Sequence, residues 1–457
     1  MATDGELPTI HELDELGNVA STLCFARRGS NDGDSDLKLI RRATPAQSGG
    51  RSNWHRLQSL SSVFLPAGYP ESVTPDYLPY QTYGILQAFA SSLAGLLASR
   101  AVLQGVGVGD ANATPTAALF LTILQDSFGR VATILFAWRL GTHFEPECKQ
   151  YRLVADILND AALISDCLSP AFPFHIRVPM LCASSCSRAV CGIAAGSAKA
   201  ALRRHFIAKE GSVGDLTAKE GSQETAISLL GMLIGTVLVS YITTPLSTWI
   251  TLLLLIAVHL FLNYLGVRAV TMHTLNRQRA NIVFQALDES DTILSPQEVA
   301  ARERVFEWDG ALRWSGNVLG HCRMGVSWSI FAREFGVYST TDQVDILKLF
   351  QGEKYFLCCD NTQPRGALQI AVCLKEDAGQ RDYLRAWVHA LLLAKSLQHT
   401  QLSCRIEIEL SMKKAGRLVD AKNISRLRAA GWDLDESALV TGAISRIRMG
   451  SEGKKDR

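Results

Sequence analysis

The chain has 457 residues, with 46 Lys and Arg against 44 Asp and Glu, and a slightly positive mean hydropathy. That length allows two or three domains with sizeable cores, and the near-neutral charge argues against a nucleic-acid binder, which usually carries a clustered basic surface. The 11 cysteines lack the CxxC and Cys/His spacings of zinc and redox sites. We therefore expect reduced thiols and no metal site, and the sequence identifies no cofactor.

Residues 1–60 mix Gly, Ser, Asp and Arg with little periodicity, which predicts a flexible leader. The start, "MATDGELPTI", is acidic, lacks the apolar core of a signal peptide and does not look like an Arg-rich transit peptide. We expect a protein that is not secreted and that inserts into a membrane through internal segments.

Apolar stretches with helical periodicity follow over residues 82–106, 114–140, 153–167 and 177–202. Asp126 and Arg130 stand inside "FLTILQDSFGRVATILFAW", four residues apart and so on one helix face. Opposite charges in an apolar helix are expensive unless they meet each other or water. They are either pathway residues or a structural ion pair.

The stretch "KQYRLVADILNDAALISD" places a polar stripe on one helix face. Its members include Arg152, Asp156, Asn159 and Asp160. The carboxylates and the amide could hold Mg²⁺, as in a membrane transferase, or line a polar path. A plain amphipathic helix is the third interpretation, and no second aspartate-rich motif supports the transferase.

Charges and amides crowd the stretch "LTAKEGSQET" before a long apolar run. Thr217 and Glu220 match a capping box, and Ser222 can cap a second helical start. Lys219 and Gln223 are not explained by capping. Together with three upstream residues, they either present cations and amides to an anionic ligand or form a solvated membrane-surface face. The upstream residues are Lys199, Arg203 and His205.

Between Glu224 and Arg268 lie about 40 residues without Asp, Glu, Lys or Arg, interrupted near Pro245. That length predicts two membrane-spanning helices joined by a turn, since one span needs about 20 apolar residues. Both flanks of this hairpin are basic, whereas its turn is uncharged. The positive-inside rule places the flanks in the cytosol or an organelle's equivalent compartment.

The C-terminal part is soluble in character and predicts a small α+β domain over residues 325–457, after a linker over 286–324. Two strands are expected in "EKYFLCCD" and "GALQIAVCLK", a helix in "QRDYLRAWVHALLLAKSLQ", a helix over 417–430 stopped by Gly431, and a strand within 438–448. The fold class is therefore mainly α: a polytopic helical membrane domain, residues 61–285, followed by this α+β domain. No catalytic constellation is visible.

Several stretches together resemble the root UV-B sensitive (RUS) family. They are "FLPAGYPESVTPDYLPYQ", "GVGVGDANAT", "ILFAW", "KQYRLVADILNDAA", "AKEGSQET" and "NYLGVRAVTMHTLNRQR", which cover nearly half of the chain in family order. The resemblance implies a membrane protein associated with vitamin B6 homeostasis. It supplies no catalytic or ligand residues.

We therefore predict a non-enzymatic membrane protein that transports a small polar metabolite, such as a B6 vitamer or a related anion, or maintains its homeostasis. A membrane-anchored interaction or scaffold protein and a Mg²⁺-dependent membrane transferase are the alternatives. The expected location is an organelle membrane, in the endoplasmic reticulum, mitochondrion or plastid. The expected partners are the lipid membrane, a small anionic metabolite and a second copy or another family member, but not nucleic acid.

Overall fold

The computed structural model describes residues 10–13, 19–27, 37–42, 63–107, 115–141, 144–208, 211–334, 340–360, 368–398, 404–442 and 444–449. Residues 1–60, which we expect to be a flexible leader, contain three strands. The other residues of this segment lie outside the described residues. These strands pair antiparallel in the order β1–β2–β3. They are β1 (Ile10–Leu13), β2 (Val19–Arg27) and β3 (Leu37–Arg42).

Long helices then follow one another, and all four upstream segments predicted as helices are helical. The predicted hairpin also forms, and Pro245 is the first residue of its second helix, where a missing N–H is harmless. Within the described ranges the bundle consists of α1 (Tyr77–Val106), α2 (Pro115–Leu140), α3 (Cys148–Leu168), α4 (Phe174–Phe206), α5 (Val213–Tyr241) and α6 (Pro245–Ala269).

Successive helices of the bundle run in opposite directions. Near the end of α1, Arg100 Nη1 donates to the carbonyl of Ile242 in the α5–α6 turn at 2.7 Å. At the other end, the ring of Tyr77 lies 5.6 Å from the ring of Phe206. Here we call the end that contains Tyr77, Phe206 and Ala269 the domain end, because the C-terminal unit attaches there, and the opposite end the turn end.

The bundle is apolar outside and carries a polar helix inside. Among the described residues, the helices α1, α2, α4, α5 and α6 are long and apolar enough to cross a membrane, by length and composition. Helix α3 is not one of them, and it packs against α1, α4 and α6. Large apolar side chains such as Phe120, Leu233 and Leu254 point outward. The expectation of a mainly α, polytopic bundle is confirmed.

The predicted caps at Thr217 and Ser222 are wrong. Helix α5 begins earlier, at Val213, and Ser212 Oγ accepts a hydrogen bond from the backbone N–H of Asp215 at 3.4 Å. Thr217 therefore lies inside the helix, and its hydroxyl donates to the carbonyl of Val213 at 2.7 Å. Ser212 caps the start of the helix by accepting one of its free N–H groups, so Thr217 and Ser222 lie inside the helix and cannot cap it.

The C-terminal unit is built around a mixed sheet whose central strand is β8. The predicted strand pair forms, with β7 antiparallel to β8, while β6 and β10 pair with β8 in parallel and β5 pairs with β6. A parallel pair of β4 and β9 stands apart. The strands are β4 (Thr274–Asn276), β5 (Ala311–Trp314), β6 (Asn317–Met324), β7 (Tyr355–Asp360), β8 (Leu368–Lys375), β9 (Asp433–Ala438) and β10 (Arg446–Ile447).

Helices cover this sheet, and the predicted helix α11 is its largest neighbour. Residues 286–324, expected as a linker, are folded into the unit, since Leu312 and Cys322 share its core with Trp387. The helix expected over 417–430 is divided at Asp420, which caps α13. The helices are α7 (Arg277–Ser290), α8 (Pro296–Arg302), α9 (Trp328–Glu334), α10 (Thr340–Leu349), α11 (Gln380–Leu397), α12 (Cys404–Leu418) and α13 (Ala421–Ala429).

His389 makes the stability of this unit sensitive to acid. It is fully buried, with Nδ1 3.0 Å from the hydroxyl of Tyr355 and Nε2 3.0 Å from the carbonyl of Ile408. Burial lowers the pKa of His389 to about 3. Since the unfolded chain protonates near the ordinary value of 6.5, the stabilising contribution is present above that pH and is lost as the pH falls towards 3.

We expect the free energy of unfolding to fall by about 1.4 kcal/mol per pH unit below pH 6.5 on account of this residue. Denaturant unfolding of the wild type and of His389→Gln, followed between pH 7 and about 5, measures the effect. The His389→Gln variant should be less stable at neutral pH but show a shallower pH slope. An unchanged slope would contradict the assignment.

Candidate functional site

Asp156 lies at the centre of the polar side chains that α3 directs towards α1 and α6. Its Oδ1 accepts a hydrogen bond from Arg152 Nη1 at 2.8 Å. Its Oδ2 accepts from the side-chain amides of Gln87 on α1 and Asn263 on α6. All four side chains are buried. A buried carboxylate needs such donors, because leaving it unpaired would cost several kcal/mol.

His259 links this carboxylate to a second one on the next turn of α3. Its Nδ1 lies 2.8 Å from Asp160 Oδ2, and its Nε2 lies 3.2 Å from Gln87 Nε2 and 3.8 Å from Asp156 Oδ2. Because a carboxylate only accepts, Nδ1 carries the proton, and Nε2 then accepts from the amide of Gln87. The imidazole of His259 thus bridges the two acidic side chains of α3.

A cavity of about 330 Å³ opens beside this network and is lined by residues of α1, α3, α4, α5 and α6. We call it the central cavity. It runs from the domain end, at Tyr80 and Glu220, to the middle of the bundle, at Ser92, Ser228 and His259. Its volume lies in the range of small-molecule sites. Of the predicted residues it is lined by Arg152, Asp156, Asn159 and Lys199.

Two ion pairs cross from α4 to α5 at the mouth of the central cavity. Arg203 Nε lies 2.6 Å from Glu220 Oε2, and Lys199 pairs with Glu224. Glu220 is buried, and its Oε1 has no hydrogen-bond partner among the described residues. Carboxylates thus already pair with both cations at the mouth, and the attraction of an anion there stays a prediction.

Gln223 and Lys219 lie near this mouth but do not line the cavity. The side-chain amide of Gln223 accepts from Gln81 on α1 and donates to the carbonyl of Phe64. It therefore ties α5 to the chain that enters the bundle. Lys219 is half-buried, and its side chain is not without an interaction partner.

His205 belongs to a different cluster at the domain end. Its Nε2 lies 2.9 Å from Asp76 Oδ2, which also accepts the backbone N–H of Thr271 at 2.7 Å. Burial alone would raise the pKa of Asp76, but the hydrogen bond and charge of His205 outweigh it and lower that pKa to about 2. These contacts tie α1, α4 and the chain after α6 together, away from the central cavity.

Asp126 and Arg130 are not brought to the central cavity. Both side chains are exposed on the outer face of α2, and neither makes a hydrogen bond or ion pair within the described part of the chain. A path through the bundle interior cannot include them in this arrangement. Their face of α2 points where lipid or another subunit would lie.

Sequence reasoning missed Gln87, His259 and Asn263, which complete the network. The absence of Asp, Glu, Lys and Arg predicts the hairpin, but this criterion does not consider the His and the Asn inside "LLLLIAVHLFLNYLG". The signal was available: His259 and Asn263 are four residues apart, on one face of an otherwise apolar helix.

The chain matches two family models. Residues 51–291 match the model described as a vitamin B6 photo-protection and homoeostasis domain, and residues 292–441 match the one described as root UVB sensitive protein, C-terminal. The two matches meet directly after α7. No solved structure is significantly similar to this chain.

Curated relatives agree with these matches. Protein root UVB sensitive 3 of Arabidopsis thaliana is 32% identical over 93% of this chain and 96% of its own length. RUS family member 1 of Dictyostelium discoideum is 40% identical over 54% of this chain and 47% of its own length, so the match spans about half of that relative. Protein root UVB sensitive 2, chloroplastic, of Arabidopsis thaliana is 25% identical over 90% of this chain and 89% of its own length.

The pair between Arg203 and Glu220 should respond asymmetrically to substitution. Arg203→Met leaves a buried carboxylate unpaired, which should lower the free energy of unfolding by about 3 kcal/mol. Glu220→Gln leaves Arg203, whose side chain is 19% exposed and reaches water, and should cost about 1 kcal/mol. Unfolding of the detergent-purified variants measures both values, and equal losses would contradict this account of the pair.

Proposed function

Since this chain belongs to the root UVB sensitive family, we propose that it is an integral membrane protein that carries a small polar metabolite through the central cavity. The domain description names vitamin B6 homoeostasis. B6 vitamers are the solute class we propose, because they are small aromatic molecules with hydroxyl groups and, in some forms, an amine or a phosphate.

The observation that carries the proposal is a pair of unsatisfied buried polar atoms on two residues that line the central cavity. Arg152 Nε and Glu220 Oε1 are buried and have no hydrogen-bond partner among the described residues. Buried polar groups are nearly always paired, so an unpaired donor and acceptor in one cavity suggest a ligand that supplies both. Such a ligand accepts from the guanidinium of Arg152 and donates to the carboxylate of Glu220.

The charge of the lining favours a dipolar solute over a purely anionic one. Arg152 and Lys199 contribute two cations, whereas Asp156, Glu220 and Glu224 contribute three carboxylates. A free anion would meet these carboxylates at close range and lose part of its attraction to the cations. A solute that carries both an amine and an acidic group can pair with both signs.

The ion pairs between α4 and α5 provide a means of access from the domain end. These two helices make few contacts with each other compared with α3 and α4. Parting Lys199 from Glu224 and Arg203 from Glu220 would widen the mouth. When the two ion pairs separate, a charged solute can bind to the freed side chains and so replace the partners that they have lost.

The two alternative functions receive less support. For the transferase, Asp156 is already bound by three donors and Asp160 by His259, and no cluster of His, Cys, Asp or Glu within the described ranges is arranged to hold a metal ion. An anchored scaffold would need neither a polar cavity nor unsatisfied groups inside the bundle. Assembly with a second copy or another family member stays a prediction.

An intracellular organelle membrane is the location that we propose. The name of one relative contains the word chloroplastic, which favours a plastid among the three organelles considered. The endoplasmic reticulum and the mitochondrion are the other two.

Uptake of labelled pyridoxine, pyridoxamine and pyridoxal phosphate into proteoliposomes tests the carrier directly. We expect saturable uptake that Glu220→Gln lowers at least about tenfold, because a charged hydrogen bond to the solute is lost. The matched control is Asp166→Asn, a buried carboxylate on α3 that pairs with a partly exposed Arg188 outside the cavity.

The Asp166→Asn variant should transport at the wild-type rate when both variants are equally folded. Uptake no higher than in empty liposomes would refute the carrier and favour the anchored scaffold. Equal loss of uptake in both variants would show that the effect is structural.

The orientation of the bundle is testable through three single cysteines. Glu71, shortly before α1, and Arg448, directly after β10, are exposed on the side of the domain end. Thr243 is exposed in the α5–α6 turn, at the turn end. In sealed vesicles, an impermeant thiol reagent should label Glu71→Cys and Arg448→Cys from one side and Thr243→Cys only from the other, above the labelling of the parent chain. Labelling of all three from one side would refute a membrane-spanning bundle.

A further inference from the structure

The segment over residues 303–310, which connects α8 to β5, bends at Val305 and Phe306 and lies directly against the domain end of α6. Arg268, in the last turn of α6, donates to the carbonyl of Glu303. Val305 packs against Val267, one residue earlier in the same turn. The segment is therefore held where α6 leaves the apolar layer of the bundle.

Side chains of this segment alternate between two environments. Glu303 and Val305 are buried, whereas Arg304 is exposed, Phe306 is 49% exposed and Trp308 is 76% exposed. This alternation leaves Arg304, Phe306 and Trp308 on the exposed side of the segment. We call this face the arginine–aromatic face.

The buried face of the segment is held by charges from both parts of the molecule. Glu303 lies 2.7 Å from Lys149 at the start of α3 and 2.7 Å from Arg279 on α7. Glu307 forms a two-pronged pair with Arg313, at 2.7 and 2.8 Å. These contacts leave little freedom for the aromatic side chains to turn inward, so their exposure is built into the fold.

Two arginines lie close in sequence to the two aromatic residues, and their charges act on nearby carboxylates, Arg302 on Glu298 and Arg304 on Glu307. The guanidinium groups of Arg302 and Arg304 make no hydrogen bond or ion pair with any residue that the structure describes, and both line a cavity of about 400 Å³ beside α7. Gln278 both donates to and accepts from the backbone of Arg304, which fixes its position. The third arginine of this cavity, Arg313, is neutralised by Glu307.

We propose that the arginine–aromatic face lies in the headgroup layer of the membrane leaflet at the domain end and binds an anionic phospholipid there. Tryptophan and other aromatic residues are favoured at that depth, and arginines beside them attract negatively charged headgroups. Trp138, 79% exposed, lies in the last turn of α2 at the same end of the bundle, where we expect the headgroup layer of the same leaflet. The inference needs the bundle to lie in a membrane, as proposed above, but not that it carries a solute.

Lipid quenching of tryptophan fluorescence tests this placement on the full chain. The protein is reconstituted in vesicles whose lipids are brominated close to the headgroup, and the emission of each tryptophan is taken as the difference between the wild type and a Phe variant. The variants are Trp308→Phe, Trp138→Phe and, as the control from the C-terminal core, Trp314→Phe. We expect strong quenching of Trp308 and Trp138 and several-fold weaker quenching of the buried Trp314.

The outcomes separate this inference from the proposed function. Quenching of Trp138 without quenching of Trp308 would overturn the placement of the arginine–aromatic face while leaving the bundle in the membrane. Absence of quenching for both would refute membrane insertion itself. Uptake of B6 vitamers does not enter this comparison, so a failed transport experiment leaves it intact.

Lipid retention tests the arginines. Vesicles of phosphatidylcholine and phosphatidylserine are dissolved in detergent, and the phosphatidylserine that stays with the purified protein is measured. The Arg302→Gln, Arg304→Gln double variant should retain several-fold less, whereas the control Arg405→Gln, Lys413→Gln, with an equal loss of charge on α12, should not differ from the wild type. Retention unchanged in the first variant, or displaced fully by millimolar inorganic phosphate, would overturn binding of a lipid headgroup.

Discussion

The hydrogen-bond requirement of one buried carboxylate sets the arrangement of the bundle. Asp156 accepts hydrogen bonds from Arg152 on its own helix, from Gln87 on α1 and from Asn263 on α6. If α1 or α6 were rotated about its axis, its donor would point away from this carboxylate. A buried charge without such donors would cost more than most single packing contacts contribute. The network therefore selects one rotation of each helix, which apolar packing alone would not specify as strongly.

Apolar packing then brings the helices close on the other side of α1. Gly231 and Gly235 on α5 allow a tight approach to α1, since a Cβ at Gly235 would lie 2.4 Å from Leu96 Cδ1. Small residues at this spacing are a common means of packing helices in membranes, where backbone proximity replaces the hydrophobic effect. Helices α4 and α5 differ from this pair, because ion pairs rather than close packing bridge them. The bundle thus combines a tightly packed wall with one that two ion pairs bridge.

The C-terminal unit is joined to the polar helix rather than hung from the bundle by a linker. Glu303 binds Lys149 on α3 and Arg279 on α7, while the backbone of His273 accepts from Asp433 at 2.8 Å. Burial raises the pKa of Glu303, but Arg279 and Lys149 outweigh this effect and lower it, so the carboxylate stays ionised at this junction. A movement of the first turn of α3 would therefore displace Glu303 and the part of the C-terminal unit that is bound to it. The boundary between the two family matches is therefore not a mechanical boundary.

Local sequence patterns were sufficient to predict the elements that depend on them. The lengths and periodicity of the apolar runs gave the helices of the bundle, and alternation with Pro and Gly placed β7 and β8. The stripe with Arg152, Asp156 and Asp160 was visible for the same reason, because residues three and four apart share a helix face. Only the tertiary structure decided which helices face that stripe, because the partners Gln87 and His259 lie 69 and 99 residues away from their carboxylates. It also separated His205, Asp126 and Arg130 from the central cavity, since composition records that a charge lies in an apolar helix but not which side of the helix is turned inward.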